Sequence, residues 1–131
     1  MAELKTGIKN RLEEDVTYER TAAGQKSGGL PVYATPRMVC LMETAAWSSV
    51  EPYMDEGMGT VGIYLDIKHV SASPEGEHIV CESELTEIDG RKLTFEVKAY
   101  DSAGLIGEGR HERFIINNGK FMAKAETKTE G

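Results

Sequence analysis

Only one segment of this chain carries a sustained helical period, and the residues after it alternate. Apolar residues recur at Met38, Leu41, Met42, Ala45, Ala46 and Val50, the three-and-four spacing that lines one face of an α-helix. Thr35-Pro36 stands at its start; threonine is a good N-cap and proline suits the first helical turn. The spacing predicts one long helix over residues 36 to about 54, stopped in the Pro-containing stretch 52–57.

Beyond the helix the period becomes two. Val61, Ile63, Leu65, Ile67 and His69 fall on one face of a strand, and Gly62, Tyr64, Asp66 and Lys68 on the other. Further strands are predicted over residues 77–88, 91–101 and 105–117. Turns separate them at Ser73-Pro74-Glu75-Gly76, Asp89-Gly90 and Ser102-Ala103-Gly104, and Asp-Gly is a strong hairpin signal. Upstream, DVTYERT (15–21) alternates Val16 and Tyr18 with polar residues and reads as a first strand; residues 22–30 read as a Gly/Ser-rich loop. Residues 1–12 are expected to be a mobile polar arm and 120–131 a mobile polar tail.

An antiparallel sheet with one apolar face needs a cover, and the helix is the available one. The prediction is α+β: a hot-dog fold, a five-stranded antiparallel sheet wrapped around one long central helix, as a single domain over 1–131. Such a sheet leaves edge strands, and pairing an edge across a two-fold axis predicts a homodimer or a tetramer.

The charge narrows the partners. A formal net charge of −7 argues against a nucleic-acid binder, which needs a basic face. Cys40 and Cys81 belong to no CxxC pair or Cys/His cluster, so no metal site is expected. Two such thiols, with no apolar core of an export signal and no apolar run near about 18 residues, predict a cytoplasmic protein without a membrane span.

Three groups have chemistry to offer. Thr35 is either a plain N-cap or a hydroxyl that binds or attacks a carbonyl, which requires a base. Glu43 lies two turns along the helix; its neighbours at three and four residues, Val39, Cys40, Ala46 and Trp47, are largely apolar. It is either a boundary carboxylate paired with an arginine such as Arg113, or a general base or nucleophile. His69 ends an aliphatic strand face beside a turn, and is either a satisfied structural residue or a group that titrates in a cleft.

Three stretches together, PVYATPRMVCLMETAA, TVGIYLDIKHVSASPEG and IDGRKLTFEVKAYDSAGLIGEGRHERF, resemble the fluoroacetyl-CoA thioesterase family of hot-dog proteins over roughly residues 30 to 125. The resemblance implies hydrolysis of an acyl-CoA thioester to an acid and CoA, with no cofactor beyond the CoA of the substrate. It implies catalytic roles for Thr35, Glu43 and His69 at a dimer interface. Gly62, where bare backbone approaches the acyl group or offers an N–H, Arg113 of the HER motif and Tyr33 are the implied substrate-binding residues. The fluoroacetate-specific member carries an aromatic gate just before the catalytic loop; here the stretch reads Ser27-Gly28-Gly29-Leu30. An ordinary short, branched or aryl acyl group is therefore expected. Lys68, Arg91, Lys92 and Arg110 are candidates for the CoA phosphates, each alternatively a solvated surface charge.

Three rivals remain on the same fold. One is an acyl-CoA-binding or sensing protein that does not hydrolyse its ligand. Another is a hydratase, which pairs an Asp and a His in one loop; here the nearest pair, Asp66 and His69, has opposite strand parity. The third is a purely structural dimer.

Overall fold

In a computed structural model, which describes residues 3–130, the central helix α2 (Thr35–Val50) lies in the curve of one five-stranded antiparallel sheet. The strands are β1 (Lys9–Asp15), β2 (Met58–His69), β3 (His78–Asp89), β4 (Lys92–Asp101) and β5 (Gly104–Asn117), in the spatial order β1-β3-β4-β5-β2. A short helix α1 (Ala22–Gln25) precedes α2, and α3 (Asn118–Glu126) comes after β5. All six apolar positions of the helical period in α2 are buried. They meet Ile79, Cys81, Leu85, Leu93, Phe95 and Val97 of β3 and β4 in one core.

The turn chemistry works as its residues dictate. Asp89 pairs with Lys92, so β3 and β4 join through Gly90-Arg91, and Gly90 takes φ +61° where a residue with a Cβ is strained. The helix stops earlier than predicted, at Val50, and passes into a 3₁₀ turn over Glu51–Tyr53. Pro52 has no N–H to continue the α-helical ladder.

Further expectations are corrected. The first strand is not at 15–21 but at Lys9–Asp15, beginning inside the predicted arm and running past its end, where it pairs antiparallel with β3. Its inward positions are Asn10, Leu12 and Glu14, and two of those are polar. Asn10 donates to the Ala45 carbonyl and Ser48 Oγ of α2, and Glu14 is bound by Arg37 of α2. Partners supplied by the helix, rather than apolar character, bury this face. Residues 120–126 of the predicted tail are likewise helical, in α3.

A further correction concerns β2. Its pairing with β5 shifts between Gly62 and Tyr64, so Ile63 is an extra, bulged residue. The alternation inverts there. Leu65, Ile67 and His69 lie opposite His111, Gly109 and Gly107, and share their face with Gly62 opposite Arg113, not with Val61. Asp66, opposite Arg110, lies on the other face from His69, as strand parity predicts.

Candidate active site

Thr35 does not cap its helix. Ala34 occupies the N-cap position with extended backbone, no side chain closes the first turn, and Pro36 comes directly after Thr35. The Thr35 hydroxyl, exposed at the surface, lies instead 2.8 Å from His69 Nδ1. The first-turn N–H groups of α2 are thus free of side-chain acceptors at the positive end of the helix dipole. Burial holds the His69 imidazole below its ordinary pKa, opposed by a contact with the Ser71 backbone, so the ring is neutral near pH 7 and able to accept the threonine proton. A cleft of about 320 Å³ opens over the pair, bordered by Ala22, Ser27, Val32, Pro36 and Val70.

Glu43 belongs to a second cluster. Its Oε2 stands 3.6 Å from Arg113 Nη1 and 3.9 Å from His111 Nε2, and its side chain remains 38% exposed. Gly62 explains how β2 passes so close: a Cβ there would sit 2.9 Å from Glu43 Oε2 and 3.3 Å from Arg113 Nη1. Arg113 is held from beneath by Thr60, whose hydroxyl accepts from Nε at 2.9 Å and whose carbonyl accepts from Nη2 at 3.0 Å. The structure therefore brings Thr35 to His69, and Glu43 to Gly62 and Arg113. Along α2 the two clusters are separated by eight residues, about 12 Å of helix.

Tyr33 lies beside the Thr35–His69 pair. It borders the cleft, but the residue is only 1% exposed and its hydroxyl donates to Glu14 Oε2 at 2.6 Å. Arg37 forks onto the same carboxylate through Nε and Nη2. This buried knot ties β1 to the first turn of α2 and so fixes the backbone that carries Thr35. Of the cations considered for CoA phosphates, none borders the cleft. Lys68 and Arg110 edge a hollow of about 450 Å³ that also holds Asp66, Glu96 and Glu108. A further hollow of about 510 Å³ lies among Lys9, Arg11, Glu82 and Glu84. Neither touches Thr35, Glu43 or His69, and the mixed charge of each fits a solvated sheet surface.

Sequence reasoning missed His111, Thr60, Glu14 and Arg37. A usable signal existed for His111. In GEGRHERF, Gly107, Gly109, His111 and Arg113 share one strand face, and a His and an Arg on the inner face of a central strand must be partnered.

A family model described as fluoroacetyl-CoA-specific thioesterase matches residues 16–119. A fluoroacetyl-CoA thioesterase of Streptantibioticus cattleyicolor is 40% identical over 98 residues, 75% of this chain and 70% of that protein. The chain belongs to the fluoroacetyl-CoA-specific thioesterase family. Solved structures share its whole fold. A fluoroacetyl-CoA thioesterase structure superposes with a TM-score of 0.90 at 32% identity, covering 97% of this chain and 98% of that one. A Thermus thermophilus hypothetical protein, a thioesterase superfamily member, gives 0.90 at 30% identity, with 99% and 96% covered. Within this family fold the stretch Ser27-Gly28-Gly29-Leu30 is bare: a Cβ on Gly29 would have no heavy atom within 4 Å, and Leu30 is 66% exposed.

Proposed function

We propose that this protein hydrolyses an acyl-CoA thioester to a carboxylic acid and free CoA, with no cofactor beyond the CoA of the substrate. The observation that carries the reading is the Thr35 hydroxyl, which caps no helix and meets a neutral imidazole 2.8 Å away beside a cleft. The thioester carbonyl is placed at the N-terminus of α2, where unpaired N–H groups favour the charge that develops on its oxygen. Thr35 binds or attacks the carbonyl carbon. His69 takes the proton of the attacking group and returns it to the departing sulfur. Glu43, set against Arg113, acts as base for water or as a transient nucleophile. A C–O bond forms, the C–S bond breaks, and water supplies the oxygen of the acid and the proton of the thiol.

The site is shared between two protomers in this reading. β2 is an outer strand, and Ile63, Tyr64 and Leu65 on it, with Trp47 on the adjoining helix, are 50, 42, 44 and 41% exposed. A second copy on that edge covers them and continues the sheet. The separation of about 12 Å between Thr35 and Glu43 along one helix exceeds the reach of one acyl carbon and one water, which favours Glu43 acting beside the Thr35–His69 pair of the other protomer. Replacing Ile63 with Lys then yields monomers in a sizing column and abolishes turnover together.

The stretch Ser27-Gly28-Gly29-Leu30 carries no aromatic gate, which favours an ordinary short, branched or aryl acyl group over fluoroacetyl. Two unbridged thiols, Cys40 and Cys81, fit a reducing compartment, the cytoplasm. Among the described residues no helix is long and apolar enough to cross a membrane.

The test is free-thiol release from acetyl-, fluoroacetyl-, branched, medium-chain and aryl-CoA by the native protein and by Glu43→Gln. Release that the variant loses supports a thioesterase. CoA binding by calorimetry with no release from any substrate sustains the alternative, a non-catalytic acyl-CoA-binding protein. That alternative rests on the Glu43–Arg113 ion pair, which is also what a structural carboxylate makes.

A further inference from the structure

Arg113 has five N–H donors, and three are committed. Nε and Nη2 serve the hydroxyl and carbonyl of Thr60, and Nη1 lies 3.2 Å from His111 Nε2. The same Nη1 stands 3.6 Å from Glu43 Oε2. One nitrogen thus links a fully buried imidazole to the only acid of helix α2.

The imidazole has a single competent state. His111 Nδ1 lies 2.9 Å from the Tyr64 carbonyl, which only accepts, so Nδ1 carries the proton. Nε2 then holds a lone pair, and accepting from Arg113 is its available role. The ring packs nearly parallel to Phe95, with centroids 6.2 Å apart and planes at 29°. Tyr64 is the first residue after the β2 bulge, so the strand irregularity and the histidine belong to one arrangement.

We propose that His111 is a positioning residue: its Nε2 holds the Arg113 guanidinium in the orientation that presents Nη1 to Glu43, and thereby fixes the carboxylate for thioester hydrolysis. This rests on the thioesterase reading and adds the group through which Glu43 is set. The groups facing the ring are Arg113 from β5, Glu43 from α2 and the Tyr64 carbonyl from β2, with the Glu112 charge acting from the opposite face of β5; Phe95 from β4 is uncharged. Burial and the Arg113 charge hold the imidazole below its ordinary pKa against the pull of the Tyr64 carbonyl, Glu43 and Glu112. Neutrality is what the role requires, since a second proton would set N–H against N–H and cation against cation.

Two amides separate the two ring nitrogens. His111→Asn keeps a donor near Tyr64 but has no acceptor at the Nε2 position. His111→Gln reaches that position with an amide oxygen. Both replace the ring by a smaller side chain, so both lose packing against Phe95. The measurements are kcat and KM on the acyl-CoA the native protein turns over, the thermal midpoint, and the exchange rate of the Arg113 Nη–H groups by 15N NMR. His111→Asn is expected to lower kcat about tenfold or more with KM changed less than about threefold, and to speed Nη–H exchange. His111→Gln restores most of both, while the thermal midpoints of the two variants fall alike. Native kcat with slow exchange in His111→Asn overturns the proposal. So does equal loss in both variants, tracking their loss of thermal stability. If the native protein releases thiol from no acyl-CoA, the thioesterase reading fails by itself. The exchange rates then decide the positioning: fast in Asn and slow in Gln sustains it, equal rates overturn it.

Discussion

The Thr35 hydroxyl and His69 Nδ1, thirty-four residues apart in the chain, lie 2.8 Å apart across the mouth of the cleft. If that bond activates the hydroxyl, Thr35→Ala and His69→Ala each lower kcat by about 10²- to 10⁴-fold, and Thr35→Ser keeps most of it. The pH profile carries a second signature. Burial sets His69 below the ordinary histidine pKa of about 6.5, and the neutral form is the base. Activity therefore persists as pH falls through 6.5 and is lost only below it, at the depressed pKa. A kcat/KM profile whose acid limb lies above about 6.5 contradicts the assignment.

Gly62 and Gly107 make a pair of opposite tests. A methyl on Gly62 meets the Glu43 carboxylate at 2.9 Å, at a backbone position that is not fully buried, so Gly62→Ala is expected to cut kcat about 10- to 100-fold with little change in melting temperature. A methyl on Gly107 would sit 2.5 Å from Met38 Sδ inside the core. Gly107→Ala is expected to cost about 1–3 kcal/mol by overpacking. Kinetics and thermal melts on the two variants show whether displacing Glu43 and straining the core are separable.

Glu14, whose side chain is 6% exposed, binds the acid end of the protein's stability curve to the knot at the start of α2. Burial pushes its pKa up, but the Arg37 and Tyr33 hydrogen bonds outweigh that and hold it below the ordinary value of 4.5. With the folded pKa depressed, its stabilisation is present above the unfolded pKa and lost as pH falls through the folded one. Glu14→Gln is expected to cost about 2 kcal/mol at neutral pH and nearly nothing once the pH has fallen through the depressed folded pKa, measured by urea unfolding from neutral pH downward.

The two thiols should behave unlike each other. Cys40 is exposed on α2, whereas Cys81 is buried in β3 and its pKa is pushed up to about 12, chiefly by burial and further by Glu82 and Glu14. A thiol-disulfide reagent is expected to modify one cysteine quickly in the folded protein and the second only after denaturation. Cys40→Ser then removes the fast phase; two fast thiols in the folded state contradict the burial of Cys81.

The sequence by itself determined whatever apolar period and turn chemistry dictate. Met38, Leu41, Met42, Ala45, Ala46 and Val50 all face the core, and β3, β4 and β5 lie within a residue of their predicted limits. Both signals are local: they report the transfer of apolar side chains from water and the φ values that glycine permits. The tertiary structure alone decided where polar residues go inside. β1 was invisible because Asn10 and Glu14 point inward and are satisfied by Ser48 and Arg37, far along the chain. The bulge at Ile63 was equally hidden, and it sets which face of β2 carries Leu65 and His69. Thr35 read as a cap because its neighbours make a helix start; its hydroxyl turns to His69 because the end of β2 lies beside that start. A buried polar group is stable only with a partner, and the partner's identity is a distance in space, which no periodicity along the chain records.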